Sequence, residues 1–474
     1  MKEKQKVEIG NEGITDARVL GKPRMVVLGF QHMFAMFGAT VLVPLLTGLD
    51  VATTLLMAGV GTLLFHLLTK FKVPAFLGSS FAFLGGYGAI APMVNGQANH
   101  DLLPYACLGV AAAGLIYLIL AGLIKLVGVN RVMKFFPPIV TGPIIISIGL
   151  TLASSAVGNC NQNWLIAVIA LAVVIVFNIW GKGMAKIIPI LLGVIISCAV
   201  AAVLALCFGS NVTVDGQSYI AIAGNENLKL FSQSAIDNFI NADWVGLPVV
   251  WKHTVFGGID WSNISMILTA IIAIVPISLA TMMEHIGDIS AISSTVGKNF
   301  IKDPGLHRTL LGDGLATTLA SLFGGPANTT YGENTGVLAL SKVYDPRVIR
   351  LAAIFAVCLS FSPKFAALVS LIPTAVIGGI SFVLYGMISA IGVRNVVETQ
   401  VDFTKSRNLI IAAVILVSAL GLGTVSFTIG EFTVTLTALA VASIAGIVLN
   451  AILPGKDYVF QDEEPNDTGV NFKV

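Results

Sequence analysis

Charge is what this sequence has least of. Asp, Glu, Lys and Arg together supply 11% of its 474 residues, less than half of the roughly 25% usual in a soluble domain. A chain this poor in charge cannot clothe a water-soluble surface, and with no basic block it offers no footing to nucleic acid. Cysteine is scarce as well. Cys107, Cys160, Cys198, Cys207 and Cys358 lack metal-ligand spacing and fall mostly in apolar runs, which excludes a disulfide framework and a thiolate metal site. The six histidines are dispersed, and no nucleophile stands beside a base, so nothing points to an enzyme. Residues 1–24 carry no apolar run, and no cleaved signal peptide is expected.

Apolar residues, at 56%, are abundant. They gather into runs near 25–46, 52–69, 104–127, 138–157, 162–180, 185–208, 263–289, 307–324, 347–362, 373–393, 407–425 and 433–453, most of them close to the about 20 residues that a helix needs to cross a bilayer. Two more runs are short or broken, near 74–95 and 326–341, and the total of fourteen predicts an all-α integral membrane protein. With the N-terminus inside, every Lys and Arg except Lys229, Lys252 and Lys364 falls on the cytoplasmic side, the bias expected of a correct span count. Fourteen spans put both termini in the cytoplasm. The predicted organisation is a tail over 1–24, seven spans over 25–208, an external loop over 209–262, seven spans over 263–453 and a cytoplasmic tail over 454–474. Trp244, Trp251 and Trp261 suit the loop to the outer interface, and its alternating stretch from Asn211 to Ile222 reads as a small hairpin.

The two halves look like copies. Gln31-His32 in the first span matches Glu284-His285 in the eighth at an offset of 253 residues, and Pro74 matches Pro326 at an offset of 252. Seven is odd, so a duplicated seven-span unit must sit inverted in the membrane, as in many carriers whose substrate binds near the midplane between broken segments. The third and tenth segments qualify as the broken ones. In Pro74-Ala-Phe-Leu-Gly-Ser-Ser-Phe81 and Pro326-Ala-Asn-Thr-Thr-Tyr331, proline interrupts a helix and small hydroxylated residues favour an extended chain. Each is predicted to be a short strand leading into a half-helix, whose free N–H groups face the gap between them.

Four carboxylates fall inside these apolar stretches: Glu284, Asp288, Asp313 and Glu333. Glu284 and Asp288 share one helix face at a spacing of four. Acids at bilayer depth mark substrate or proton pathways, and a low-dielectric setting favours the protonated carboxyl. The candidate proton-coupling pair is Glu284 and Asp288, with no cofactor beyond the proton itself.

These residues resemble the nucleobase:cation symporter (nucleobase–ascorbate transporter) family. The likeness runs from Gln31-His32 through Leu77-Gly-Ser-Ser-Phe-Ala-Phe83, Glu284-His-Ile-Gly-Asp288, Asp303-Pro-Gly-Leu-His-Arg308 and Asn328-Thr-Thr-Tyr-Gly-Glu-Asn334 to Leu384-Tyr-Gly386. The family signature appears as Glu333-Asn334-Thr335-Gly336 to Ser341-Lys342, with Ser341 where threonine is usual. The resemblance implies a core domain of spans 1–4 and 8–11, a gate domain of spans 5–7 and 12–14, and a homodimer through the gate. It also implies proton-coupled uptake of a nucleobase, with Glu333 in the place where uracil-carrying members have Glu and purine carriers have Gln. Uracil is therefore the expected substrate. Xanthine or uric acid is the alternative, because Asp288 stands where uracil carriers often have His and Asp313 resembles the purine branch.

On this reading Glu284 and Glu333 accept the ring N–H groups of uracil, and Ser80 joins the pocket. The backbone N–H groups of Phe81 and Gly332 serve the carbonyls, while Phe81, Tyr331 and Tyr385 offer flat surfaces. Gln31, His32, Asn334 and Asp313 form the surrounding shell. A channel would need polar groups along its whole length, whereas here they gather at one depth. An anion transporter of similar general fold commonly carries a soluble C-terminal domain, and only residues 454–474 follow the last span.

Overall fold

The structure is a computed structural model that describes residues 13–93, 97–429 and 432–455. In the first half, α1 (Lys22–Thr47) and α2 (Val51–Leu68) lead to β1 (Leu77–Ser79), one 3-10 turn at Phe81–Phe83, and the short α3 (Leu84–Ile90). Then come α4 (Leu103–Val127), α5 (Pro138–Cys160), α6 (Trp164–Trp180) and α7 (Pro189–Phe208). Strands β2 (Gly209–Val214), β3 (Gln217–Ile222) and β4 (Lys229–Ser232) form a small antiparallel sheet in the connection between the halves. The second half begins with α8 (Ile264–Ile274), which passes through a 3-10 turn at Pro276 into α9 (Ser278–Val296). It continues with α10 (Leu306–Leu322), β5 (Asn328–Thr330), α11 (Gly332–Ser341), α12 (Pro346–Ser360), α13 (Pro363–Ser370), α14 (Thr374–Glu398) and α15 (Ser406–Gly421). A hairpin of β6 (Thr424–Ile429) and β7 (Phe432–Thr437) precedes α16 (Ala438–Ile452).

Among the described residues, seven helices are long and apolar enough to cross a membrane, or eight if α12 and α13, bent by 91°, count as one. The protein is a multi-pass membrane protein. Local chemistry sets the helix ends. Proline opens α5, α7, α12 and α13, where its missing N–H costs nothing. The side chain of Asn163 caps α6, and that of Thr437 caps α16. Two expected helical runs, 407–425 and 433–453, are cut short by the β6–β7 hairpin. Gly423 ends the first at a φ of 62°, and the alternating Thr-Val-Ser-Phe-Thr-Ile and Phe-Thr-Val-Thr-Leu-Thr are β-branched and aromatic enough to prefer strands.

Before α1, the chain is stitched to the end of α11. Ile14 N donates to Lys342 O at 2.7 Å, and Tyr344 N donates to Ile14 O at 2.7 Å. Arg347 reaches Asp16 at 2.8 Å. The Arg18 guanidinium, with Arg347 beyond it, holds the Asp16 carboxyl well below the usual carboxylate range.

Helices in lipid associate through close packing rather than hydrophobic exclusion, so small residues mark the contacts. A Cβ on Gly149 of α5 would meet Tyr385 O of α14 at 2.1 Å, and one on Gly59 of α2 would meet Ala353 O of α12 at 2.5 Å. Helix α4 crosses α10 where Gly114 and Gly314 face each other, a Cβ on either lying 2.7 Å from the other's carbonyl oxygen. Thr318 Oγ1 adds a bond to Ala111 O at 3.1 Å there. Overpacking of this kind costs about 1–3 kcal/mol, so Gly314→Val is expected to lower the thermal unfolding temperature of the purified protein. Gly122→Val, on an open face of α4, is expected to leave it nearly unchanged. Equal losses in the two variants would refute the close-packing account.

Candidate functional site

The site is built around a two-stranded ribbon that β1 and β5 form within the bundle. The strands run antiparallel, with Leu77 opposite Thr330, Gly78 opposite Thr329 and Ser79 opposite Asn328. Ser80 N donates to Ala327 O at 2.9 Å and Tyr331 N donates to Phe76 O at 3.0 Å, extending the pairing at both ends. A two-stranded ribbon leaves its outer backbone groups open, and without water they need partners from neighbouring helices. Leu77 N donates to Thr62 Oγ1 at 2.9 Å, Thr317 Oγ1 donates to Asn328 O at 2.6 Å, and Thr330 N donates to Asp313 Oδ1 at 3.0 Å. Ser79 Oγ donates to Thr40 O at 3.0 Å, tying β1 to α1.

Two helical stretches leave this ribbon. Phe81 opens the turn that continues into α3, and Gly332 opens α11. Asp288 faces the second opening, its Oδ1 lying 3.7 Å from where a Cβ on Gly332 would sit, so a carboxylate occupies the positive end of that helix. Its Oδ2 accepts a hydrogen bond from Thr330 Oγ1 at 3.2 Å. Glu284 lies one turn earlier on the same face of α9, half-buried like Asp288. Asp313 is fully buried on α10, with Oδ2 3.4 Å from His285 Nδ1, and His285 Nδ1 also lies 3.2 Å from Thr330 Oγ1. His32 is buried on α1 beside Asn334, whose Nδ2 donates to His32 O at 3.3 Å. Gln31 is half-buried next to it.

Phe81 and Tyr385 meet edge to face, their ring centres 6.0 Å apart at 74°. Ser80 is buried beside Phe81, and among the described residues its hydroxyl has no hydrogen-bond partner. The ring of Tyr331 does not stand open beside the cluster. It is 5% exposed and lies over Gly78, where a Cβ would come within 2.5 Å of it. Its hydroxyl donates to Ser79 O at 2.9 Å, a bond from the residue after β5 back to β1. Glu333 is the second residue of α11, and its side chain lies outside the described residues.

The sequence reading leaves Thr330 and His285 without a role, yet they join β5 to α9 and α10. A hydroxyl among other hydroxyls in Asn-Thr-Thr carries no signal of its own, and His285 reads simply as the neighbour of Glu284. Only the packing of β5 on two helices singles them out.

A polar cluster gathered at the break points of two segments, inside a polytopic apolar bundle, is the arrangement of a membrane transport protein. The model of the Permease family matches residues 23–428, and the chain belongs to that family; it is a permease and not an enzyme. It is 39% identical over 440 residues to the uracil permease of Bacillus caldolyticus, covering 91% of this chain and 92% of that one. It is 40% identical over 443 residues to the uracil permease of Bacillus subtilis (strain 168), covering 90% and 92%. Against the putative pyrimidine permease RutG of Escherichia coli (strain K12) the identity is 38% over 436 residues, covering 91% and 89%. In fold it resembles the transmembrane domain of the cyanobacterial bicarbonate transporter BicA, with a TM-score of 0.60 at 13% identity over 92% of this chain and 99% of that one. It also resembles SLC26A9, with a TM-score of 0.61 at 13% identity over 90% of this chain and 64% of that one.

The Tyr331 hydroxyl ties the residue after β5 to buried β1, and a neutral hydrogen bond of this kind contributes about 0.5–1.5 kcal/mol. Tyr331→Phe is expected to lose that much unfolding free energy, read as a lower midpoint in heat or denaturant. A variant as stable as the parent would show that the hydroxyl contributes nothing.

Proposed function

We propose that this chain takes up uracil across the cytoplasmic membrane together with protons, by alternating access. The observation that carries the reading is the juxtaposition of the β1–β5 ribbon, two helix openings at Phe81 and Gly332, and the Asp288 carboxylate at the second of them. Uracil is planar and offers two ring N–H donors and two carbonyl acceptors. Glu284 and Glu333 take the donors, and the backbone N–H groups of Phe81 and Gly332 take the carbonyls. Phe81, backed edge to face by Tyr385, supplies the flat wall. The relatives' names, uracil permease and pyrimidine permease, support uracil over xanthine.

Fourteen segments cross the membrane in two inverted seven-span repeats, the third and tenth being the strand-and-half-helix pieces. Spans 1–4 and 8–11 form the core that carries the site, and spans 5–7 and 12–14 form the gate, through which two copies pair. Both termini face the cytoplasm, a reading supported by the Lys and Arg distribution. Protonation of the Glu284/Asp288 pair precedes substrate capture, and movement of the core past the gate turns the loaded site inward. Gln31, His32, Asn334 and Asp313 hold the acids and the half-helix in place.

Glu284→Gln is expected to abolish accumulation of labelled uracil, which in the parent should collapse when a protonophore is added. Among unlabelled competitors, uracil should displace the label where xanthine, uric acid and thymine do so poorly. Intact proton-driven uptake in the Gln variant would refute the assignment of the coupling acid, and stronger competition by xanthine would refute the substrate.

A further inference from the structure

Thr330 ends β5 and stands two residues ahead of α11, the helix whose first residue faces Asp288. Its backbone and its side chain are held by different groups. The backbone N–H is fixed by Asp313 Oδ1 at 3.0 Å. The hydroxyl lies between Asp288 Oδ2 and His285 Nδ1, at 3.2 Å from each. The strand end is therefore anchored to α10 through its N–H and held to α9 through its hydroxyl, by Asp288 and His285 together, and of these contacts only the one to Asp288 involves the half-buried acid.

We infer that Thr330 is a positioning residue that transmits the protonation state of Asp288 to the Gly332 end of the half-helix, an inference that rests on the proton-coupled reading above. An ionised Asp288 can only accept, so the Thr330 hydroxyl donates to it in a charge-assisted bond. A proton on Oδ2 turns that atom into a donor. The bond must then reverse or break and loses its charge assistance, while the Asp313 anchor stays in place. Protonation thus weakens one of the two contacts that hold β5 to α9, at the point where the half-helix begins, and leaves the His285 contact, which gives a proton on one helix a direct effect on the substrate site carried by another element.

The titratable groups around Asp288 are consistent with a local effect. Glu284 and His285 lie on its own helix, Asp313 of α10 lies 3.4 Å from His285 Nδ1, and Tyr117 of α4 donates its hydroxyl to Thr281 of α9 at 2.6 Å. Glu333 follows Gly332 on α11. None of the Lys or Arg residues lies between Asn263 and Gly297 on this helix pair.

The test uses the full chain in proteoliposomes and compares Thr330→Val, which removes the hydroxyl, with Thr330→Ser, which keeps it. Exchange of labelled uracil without a proton gradient should stay within about threefold of the parent in Thr330→Val, while gradient-driven accumulation falls by about tenfold or more and its pH dependence flattens. Thr330→Ser should restore both. Asp288→Asn should lose accumulation in the same way, and combining it with Thr330→Val should add little, because the two changes break one contact. Thr330→Cys, a weaker donor, should fall between Val and Ser, and it serves the comparison if the Val variant does not fold. Parental accumulation and pH profile in Thr330→Val, additive losses in the pair, or a Ser variant as defective as Val would each overturn the inference. A parent that exchanges no uracil would overturn the transport reading itself, and this inference with it.

Discussion

Everything at the centre of this protein follows from one requirement: a strand inside a bilayer must find a partner for every backbone N–H and C=O without the help of water. The β1–β5 ribbon meets half of that requirement by self-pairing. Thr62, Thr317 and Asp313 from the surrounding helices, and the hydroxyl of Tyr331 just past β5, meet much of the rest. Those same bonds fix where Phe81 and Gly332 stand, and so where two sets of free N–H groups open. The polar site is thus a consequence of how an otherwise intolerable backbone is made tolerable.

The helices that supply those bonds are themselves held by contacts that only glycine permits. Gly114 against Gly314 brings α4 onto α10, and Gly59 brings α2 onto α12. In lipid there is little hydrophobic gain in joining two helices, so close approach of backbones replaces it. Distance matters here because Asp313 and Thr317 reach β5 through short side chains, and a helix displaced by a side chain's width would leave Thr330 N and Asn328 O without partners.

Much of this is legible in the sequence. Scarce charge and long apolar runs announce a membrane protein, and the stretches Pro74–Phe81 and Pro326–Tyr331 stand out because proline and small polar residues are expensive at that depth. The acids at 284, 288 and 313 stood out for the same reason. The role of Tyr331 was not legible: an aromatic next to a polar cluster reads equally well as a stacking surface or as packing, and Gly78, more than two hundred residues away, decides for packing by leaving room for the ring. The hairpin between α15 and α16 is not legible, because summed apolarity does not distinguish Thr-Val-Ser-Phe-Thr-Ile from a helix of the same hydropathy.

What the sequence determined by itself was composition and period: that the chain lives in a bilayer, which stretches are apolar, and which residues are too polar to be there without cause. These are local quantities, set by the transfer cost of each side chain and the conformational preferences of each short stretch. The tertiary structure decided which broken segment pairs with which, in what register, and which acid meets which strand. Asp288 and Thr330 are 42 positions apart, and Leu77 and Thr330 are 253 apart. A hydrogen bond between such residues depends on the packing of whole helices, and no local preference along the chain encodes that distance.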